Sequence, residues 1–159
     1  FWTNPAAREK ALETGGASVL RGLRNFIDDV LTNKGMPRQV PPDAFTVGVD
    51  LAATPGKVVL RNDLMELIQY APRTETVHEI PLLLSPPWIN KYYIMDLAPG
   101  RSFVEWAVDH GHTVFAISYR NPGAADRDVR LDDYLLSGPI SALDAVREIT
   151  GAERANIVG

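Results

Sequence analysis

The repeat of hydrophobic positions changes character near residue 56. Before it, Leu20, Leu23, Ile27, Val30 and Leu31 recur at spacings of three and four, the repeat of one face of an α-helix. Thr3 or Asn4 ahead of Pro5 marks an earlier helix start, since a side-chain oxygen can cap free amides and proline at the first helical position gives up no hydrogen bond. The stripe therefore belongs to a second helix, or to a continuation of the first beyond Gly15-Gly16, and it needs a partner surface. Gly35, Pro37, Pro41 and Pro42 then break the pattern, and the stretch to Pro55-Gly56 reads as an extended crossover. From Lys57 onward the apolar runs are short and β-branched. Residues 57–61 and 65–70 flank Asn62-Asp63 and predict a hairpin.

Beyond Pro72 the pattern alternates. It predicts a strand over 79–84, a helix over about 101–110, a strand over 113–119, a helix over about 131–150 and a strand over 156–158. Strands separated by helices pair in parallel through right-handed crossovers. Gly111 and Gly151 fall just past the two helices, where a left-handed cap is wanted. The expected fold is α/β: a helical N-terminal segment with its crossover over 1–56, then the first half of an α/β-hydrolase-type sheet over 57–159. That half is an antiparallel hairpin followed by a parallel β-α-β-α-β run, expected to stop before the nucleophile elbow.

Composition narrows the function. Apolar residues make up 45% and charged residues 23% of the 159 positions, an ordinary globular balance. The longest apolar runs, 80–84 and 113–118, are strand-sized, so a membrane span is not expected. A net charge of −4 without a basic stripe argues against nucleic acid as a partner. No cysteine is present, so there is no disulfide, thiolate metal site or cysteine nucleophile within these residues. The chain opens on Phe1-Trp2-Thr3-Asn4-Pro5, with neither the basic start nor the apolar stretch of a signal peptide. The expectation is a chain clipped at both ends, from a cytoplasmic protein.

In open α/β sheets reacting groups gather beyond the C-terminal strand ends, which singles out the segments after Leu84, Tyr119 and Val158. The strand ending at Val158-Gly159 is how a G-x-nucleophile-x-G elbow begins, although any strand can end in glycine. Its nucleophile would stand two residues after Gly159. Ser85-Pro86-Pro87 stiffens the exit from the preceding strand, and the next amides belong to Trp88 and Ile89. These are candidate oxyanion-hole donors, each worth roughly 3 kcal/mol in a transition state; the alternative is a rigid loop whose aromatic rings cover the core. His78, His110 and His112 do not have the makings of a metal set, and no metal site is expected. Ser118 lacks the flanking glycines of an elbow and reads as core or rim. Asp132-Asp133 suits a helix start, and Asp126, Arg127, Asp128 and Arg130 read as a solvated loop.

The strings Pro86-Pro87-Trp88-Ile89-Asn90-Lys91-Tyr92-Tyr93-Ile94-Met95-Asp96-Leu97 and Gly111-His112-Thr113-Val114-Phe115-Ala116-Ile117-Ser118-Tyr119-Arg120-Asn121-Pro122 resemble the polyhydroxyalkanoate synthases. These bacterial acyltransferases polymerise hydroxyacyl-CoA into storage polyester. The similarity extends through Asn62-Asp63-Leu64-Met65-Glu66-Leu67-Ile68-Gln69-Tyr70, Asp132-Asp133-Tyr134, Thr3-Asn4-Pro5 and Glu13-Thr14-Gly15-Gly16, nearly the whole chain. Ser85 departs from the family pattern, which often has Asn there.

The resemblance implies an elbow carrying cysteine in a G-x-C-x-G-G setting, of which only Gly159 is present, with an Asp and a His further along. It implies a thiolate that takes the acyl group from CoA, a histidine that activates the next hydroxyl, and no cofactor. The chain alone is then expected to be inactive. Implied partners are hydroxyacyl-CoA and the growing polyester, with a homodimer and the polyester granule surface as further candidates. Two other readings stand beside it: part of another α/β hydrolase, an esterase or epoxide hydrolase with Ser or Asp at the elbow, or a non-catalytic module that docks through the 20–31 stripe.

Overall fold

The computed structural model describes residues 3–41 and 43–159; Phe1, Trp2 and Pro42, the last assigned above to the crossover, lie outside the described residues. The chain forms two compact units, Phe1–Ala44 and Phe45–Gly159.

The first unit is helical. The α1 helix, Pro5–Glu13, starts where the Asn4 side chain accepts hydrogen bonds from the amides of Ala6 and Ala7 at 3.0 and 3.4 Å. It ends where Gly15 and Gly16 turn left-handed (φ 54° and 86°), and α2, Ala17–Thr32, follows as a separate helix. Neither helix contains a buried residue, and Leu20, Leu23, Phe26, Ile27 and Leu31 are exposed along α2. No helix among the described residues is long and apolar enough to cross a membrane.

The second unit is a mixed α/β structure built on a five-stranded sheet of order β1-β2-β4-β3-β5. The strands are β1 Gly56–Arg61, β2 Met65–Tyr70, β3 Leu82–Leu84, β4 Val114–Tyr119 and β5 Asn156–Val158. The β1-β2 hairpin closes around Asn62, whose side-chain oxygen accepts from the amides of Leu64 and Met65, both at 2.9 Å. β2 pairs antiparallel with β4, and β3 runs parallel to both β4 and β5.

β3 and most of β4 are buried on both faces, as continuous apolar runs in parallel sheets are. Alternate side chains divide the core in two. Leu82, Leu84, Val114 and Ala116 pack with Val104, Ala107 and Val108 of α3, Phe103–Asp109. Leu83, Phe115 and Ile117 pack on the other face with Ala142 and Val146 of α5, Ser141–Thr150. Helices thus cover both faces of the sheet.

The β1 and β4 starts shift by one residue, and three larger differences from the sequence expectation have a physical cause. The strand predicted over 79–84 shortens to Leu82–Leu84, because Pro81 has no amide to give to a ladder. The helix predicted over about 101–110 begins only at Phe103, where Ser102 Oγ accepts from the Glu105 amide at 2.8 Å. The single helix predicted over about 131–150 is broken: α4, Leu131–Leu135, passes through a wide turn at Leu136–Ile140 before α5 begins. Pro139 lacks an amide and its ring collides with the carbonyl four residues back, so the ladder cannot run through it. Gly111 and Gly151 close α3 and α5 with φ of 80° and 70°, as their positions predicted.

Candidate active site

The C-terminal ends of β3, β4 and β5 come together at one edge of the sheet, and the loop after β3 runs across it. The Ser85 amide donates to the Val158 carbonyl at 2.7 Å. Gly159 follows directly, so close that a Cβ there would stand 2.8 Å from the Ser85 carbonyl oxygen. Backbone oxygen cannot swing aside as a side chain can, and a larger residue would force β5 away from the loop. The glycine that the sequence suggested as an elbow lead-in is therefore demanded by a long-range contact.

Pro86 and Pro87 extend the loop into a turn in which the Asn90 amide donates to the Pro87 carbonyl at 2.9 Å. Trp88 and Ile89 occupy the two central positions. Among the described residues neither of their amides donates to another group of the chain. Two free backbone donors thus follow a rigid diproline near the strand ends. Ile89 is 82% exposed, and the Trp88 ring lies 5.3 Å from that of Tyr134 rather than over the core.

Tyr134 also stands 5.8 Å from Tyr119, the last residue of β4. These rings, with Pro87, Leu131 and Leu135, line a groove of about 260 Å³. Burial pushes the Tyr119 phenol up, against the opposite pull of the Ser85 side chain. Gly138 lets the wide turn after α4 close on Tyr119: a Cβ at 138 would meet the phenol oxygen at 2.6 Å. Sequence reasoning missed this groove. Its one local signal was the Gly138-Pro139 pair inside a helical pattern.

The loop after β4 is more ordered than the solvated stretch the sequence suggested. Asp126 accepts from the Gly123 amide at 2.6 Å and from two nitrogens of Arg120 at 2.6 and 3.2 Å. The Gly123 amide and the Arg120 guanidinium hold its carboxyl below the usual carboxylate range. Arg120 also donates to the Asp63 carbonyl at 2.8 Å, tying this loop to the hairpin turn. Arg127 and Asp128 are solvated as expected. Lys91 donates to the Asn121 side chain across the two loops. Asp133 accepts from the Arg130 amide at 2.8 Å at the start of α4, the helix-opening role read from the sequence.

The histidines belong to the other end of the sheet. His78 and His112 precede β3 and β4, their rings 4.7 Å apart, and His110 stacks on Trp106 at 4.5 Å. A cavity of about 890 Å³ opens at this end beside Ile80, Thr113 and Gly151. It is larger than the groove but sits at the N-terminal strand ends, where this architecture does not gather reacting groups. A buried polar pair lies near Tyr70 at the end of β2. Thr54 Oγ1 donates to Asp96 at 2.8 Å, and burial, reinforced by Asp96, pushes the neighbouring Tyr70 phenol up.

Comparison with known proteins bears on what this edge serves. The family model described as the N-terminus of poly-beta-hydroxybutyrate polymerase (PhaC) matches residues 1–107. The chain is 48% identical over 151 residues to a poly(3-hydroxyalkanoate) polymerase of Methylorubrum extorquens, covering 94% of this chain and 25% of that protein. It is 47% identical over 157 residues to poly(3-hydroxyalkanoate) polymerase 1 of Ectopseudomonas oleovorans, covering 99% and 28%. Against the PhaC polymerase subunit of Cupriavidus necator the identity is 43% over 157 residues, covering 99% and 26%. The chain spans about a quarter of the length of these curated relatives. With the family model over residues 1–107 and these relatives aligned over nearly the whole chain, the chain belongs to the poly-beta-hydroxybutyrate polymerase (PhaC) family.

Proposed function

We propose that the chain is part of a polyhydroxyalkanoate polymerase, supplying the helical N-terminal region and the first strands of an acyl-transfer domain of α/β-hydrolase type. A hairpin feeding parallel strands, with helices on both faces, supports the hydrolase-type reading. The observation that carries it is the approach of Gly159 to the Ser85 carbonyl, which brings the end of β5 against the loop bearing the free Trp88 and Ile89 amides.

In this reading a cysteine two positions beyond Gly159 attacks the thioester carbonyl of a hydroxyacyl-CoA as thiolate. The carbonyl oxygen takes on negative charge. The amide of Trp88 or Ile89, with the amide following the cysteine, donates to that oxyanion, an interaction that strengthens in the transition state. The acyl group passes to sulfur as CoA leaves. The hydroxyl of the next hydroxyacyl group, deprotonated by histidine, then attacks the carbonyl carbon of the enzyme-bound thioester; a carbon–oxygen ester bond forms, the carbon–sulfur bond breaks to free the thiolate, and the chain is one unit longer. The setting is cytoplasmic, at the polyester surface. Because the chain contains no cysteine, it performs none of this alone.

The test is release of CoA from 3-hydroxybutyryl-CoA by the complete polymerase carrying Gly159→Ala. The added methyl meets the Ser85 carbonyl and displaces the nucleophile, and a displacement of about 1 Å lowers kcat roughly 100-fold. A variant as fast as the parent, or specific CoA release by this chain alone, would falsify the assignment.

A further inference from the structure

We infer that the groove between the diproline loop and α4 seats the hydrocarbon side group of the hydroxyacyl substrate and sets which side-group length is accepted. This rests on the polymerase reading above and assigns a place within the same site. Ser85 connects the two features: it lines the groove, and its carbonyl touches Gly159. An acyl carbonyl held near the Trp88 amide would have its side group at the mouth of the groove.

The chemistry of the walls selects which part of the substrate enters. Pro87, Trp88, Tyr119, Leu131, Tyr134 and Leu135 offer hydrocarbon and ring faces, and among the described residues no charged side chain lines the groove. The phosphates of CoA seek cationic side chains, which these walls lack. The volume of about 260 Å³ lies below the roughly 300–1,000 Å³ of sites that enclose a whole drug-sized ligand. It suits one apolar arm of a larger molecule.

Tyr134 determines the width. Its ring faces both Trp88 and Tyr119, at 5.3 and 5.8 Å, and truncating it joins the space on either side. Leu135, 53% exposed on the same helix, can be enlarged with little effect on the core.

The experiment measures kcat/KM of the complete polymerase for 3-hydroxybutyryl-CoA and 3-hydroxyoctanoyl-CoA. A methylene in an apolar pocket changes discrimination by about tenfold or more. Tyr134→Ala should therefore raise the octanoyl-to-butyryl ratio by at least about tenfold, and Leu135→Trp should lower it by a similar factor. If Tyr134→Ala does not fold, the direction of the Leu135→Trp shift decides. An unchanged ratio, or equal losses on both thioesters, overturns the side-group assignment and leaves the polymerase reading standing. Failure of the unmodified polymerase to release CoA from either thioester overturns that reading instead.

Discussion

Replacing Gly138 by alanine probes how closely the wide turn after α4 is fitted to the end of β4. The new methyl carbon would lie 2.6 Å from the Tyr119 phenol oxygen, 3.2 Å from Cε1 and 3.3 Å from Cζ. The first distance is far inside contact, and the neighbours have limited room to yield. Tyr119 is held in register opposite Met65, and Pro139 stiffens the turn. Forcing a methyl group into a packed site costs about 1–3 kcal/mol. The closest atom is at the tip of a side chain bordering the groove, which puts the cost near 1–2 kcal/mol.

Alanine also stiffens the unfolded chain, which offsets about 0.4–1 kcal/mol of that cost. No helix-propensity gain accompanies it, because Gly138 at φ −94° and ψ −106° is not helical. A double-mutant cycle with Tyr119→Phe separates these terms, since the unfolded-state contribution is the same in both backgrounds. Removing the phenol oxygen leaves 3.2 Å as the closest approach, a distance that shifts of a few tenths of an ångström relieve. The double variant should therefore be about 1 kcal/mol more stable than the sum of the single effects predicts. Urea denaturation followed by tryptophan fluorescence, at two protein concentrations to detect association, gives all four corners. Additivity within about 0.3–0.5 kcal/mol would refute the steric account.

Two further outcomes follow from the loop after β4 and from α2. The folded Asp126 carboxyl titrates below the ordinary value of about 3.9, so its contribution to stability is present above that pH and disappears as pH falls through the depressed folded value. A carboxyl-carbon NMR titration should find this low midpoint and find it raised in Arg120→Met; an ordinary midpoint in the unmodified chain contradicts it. Leu23→Glu, at an exposed position of α2, should leave the circular dichroism of the chain unchanged, and loss of its pelleting with polyester granules would favour the non-catalytic docking module over the polymerase reading. Undiminished pelleting removes α2 as the docking face.

The elements were legible where local chemistry determines them. The Asn4-Pro5 start, the Asn62 turn, the left-handed caps at Gly111 and Gly151, and β5 at Asn156–Val158 all follow from spacing and from what single residues do to the backbone. Proline set the limits of that reading. Pro81 shortened β3 and Pro139 broke a helix whose apolar spacing runs on unchanged through the break.

What the sequence by itself determined was an α/β chain with its chemistry expected beyond particular strand ends, together with a family wording in the segments at those ends. Only the tertiary structure decided the strand order β1-β2-β4-β3-β5, because runs buried on both faces do not name their neighbours. Only the tertiary structure showed that Gly159 must be small, since the reason is the Ser85 carbonyl in the loop after β3. The groove is likewise a product of folding: Trp88, Tyr119 and Tyr134 are far apart in sequence and share no period, and they meet because parallel crossovers bring successive strand ends to the same edge of the sheet.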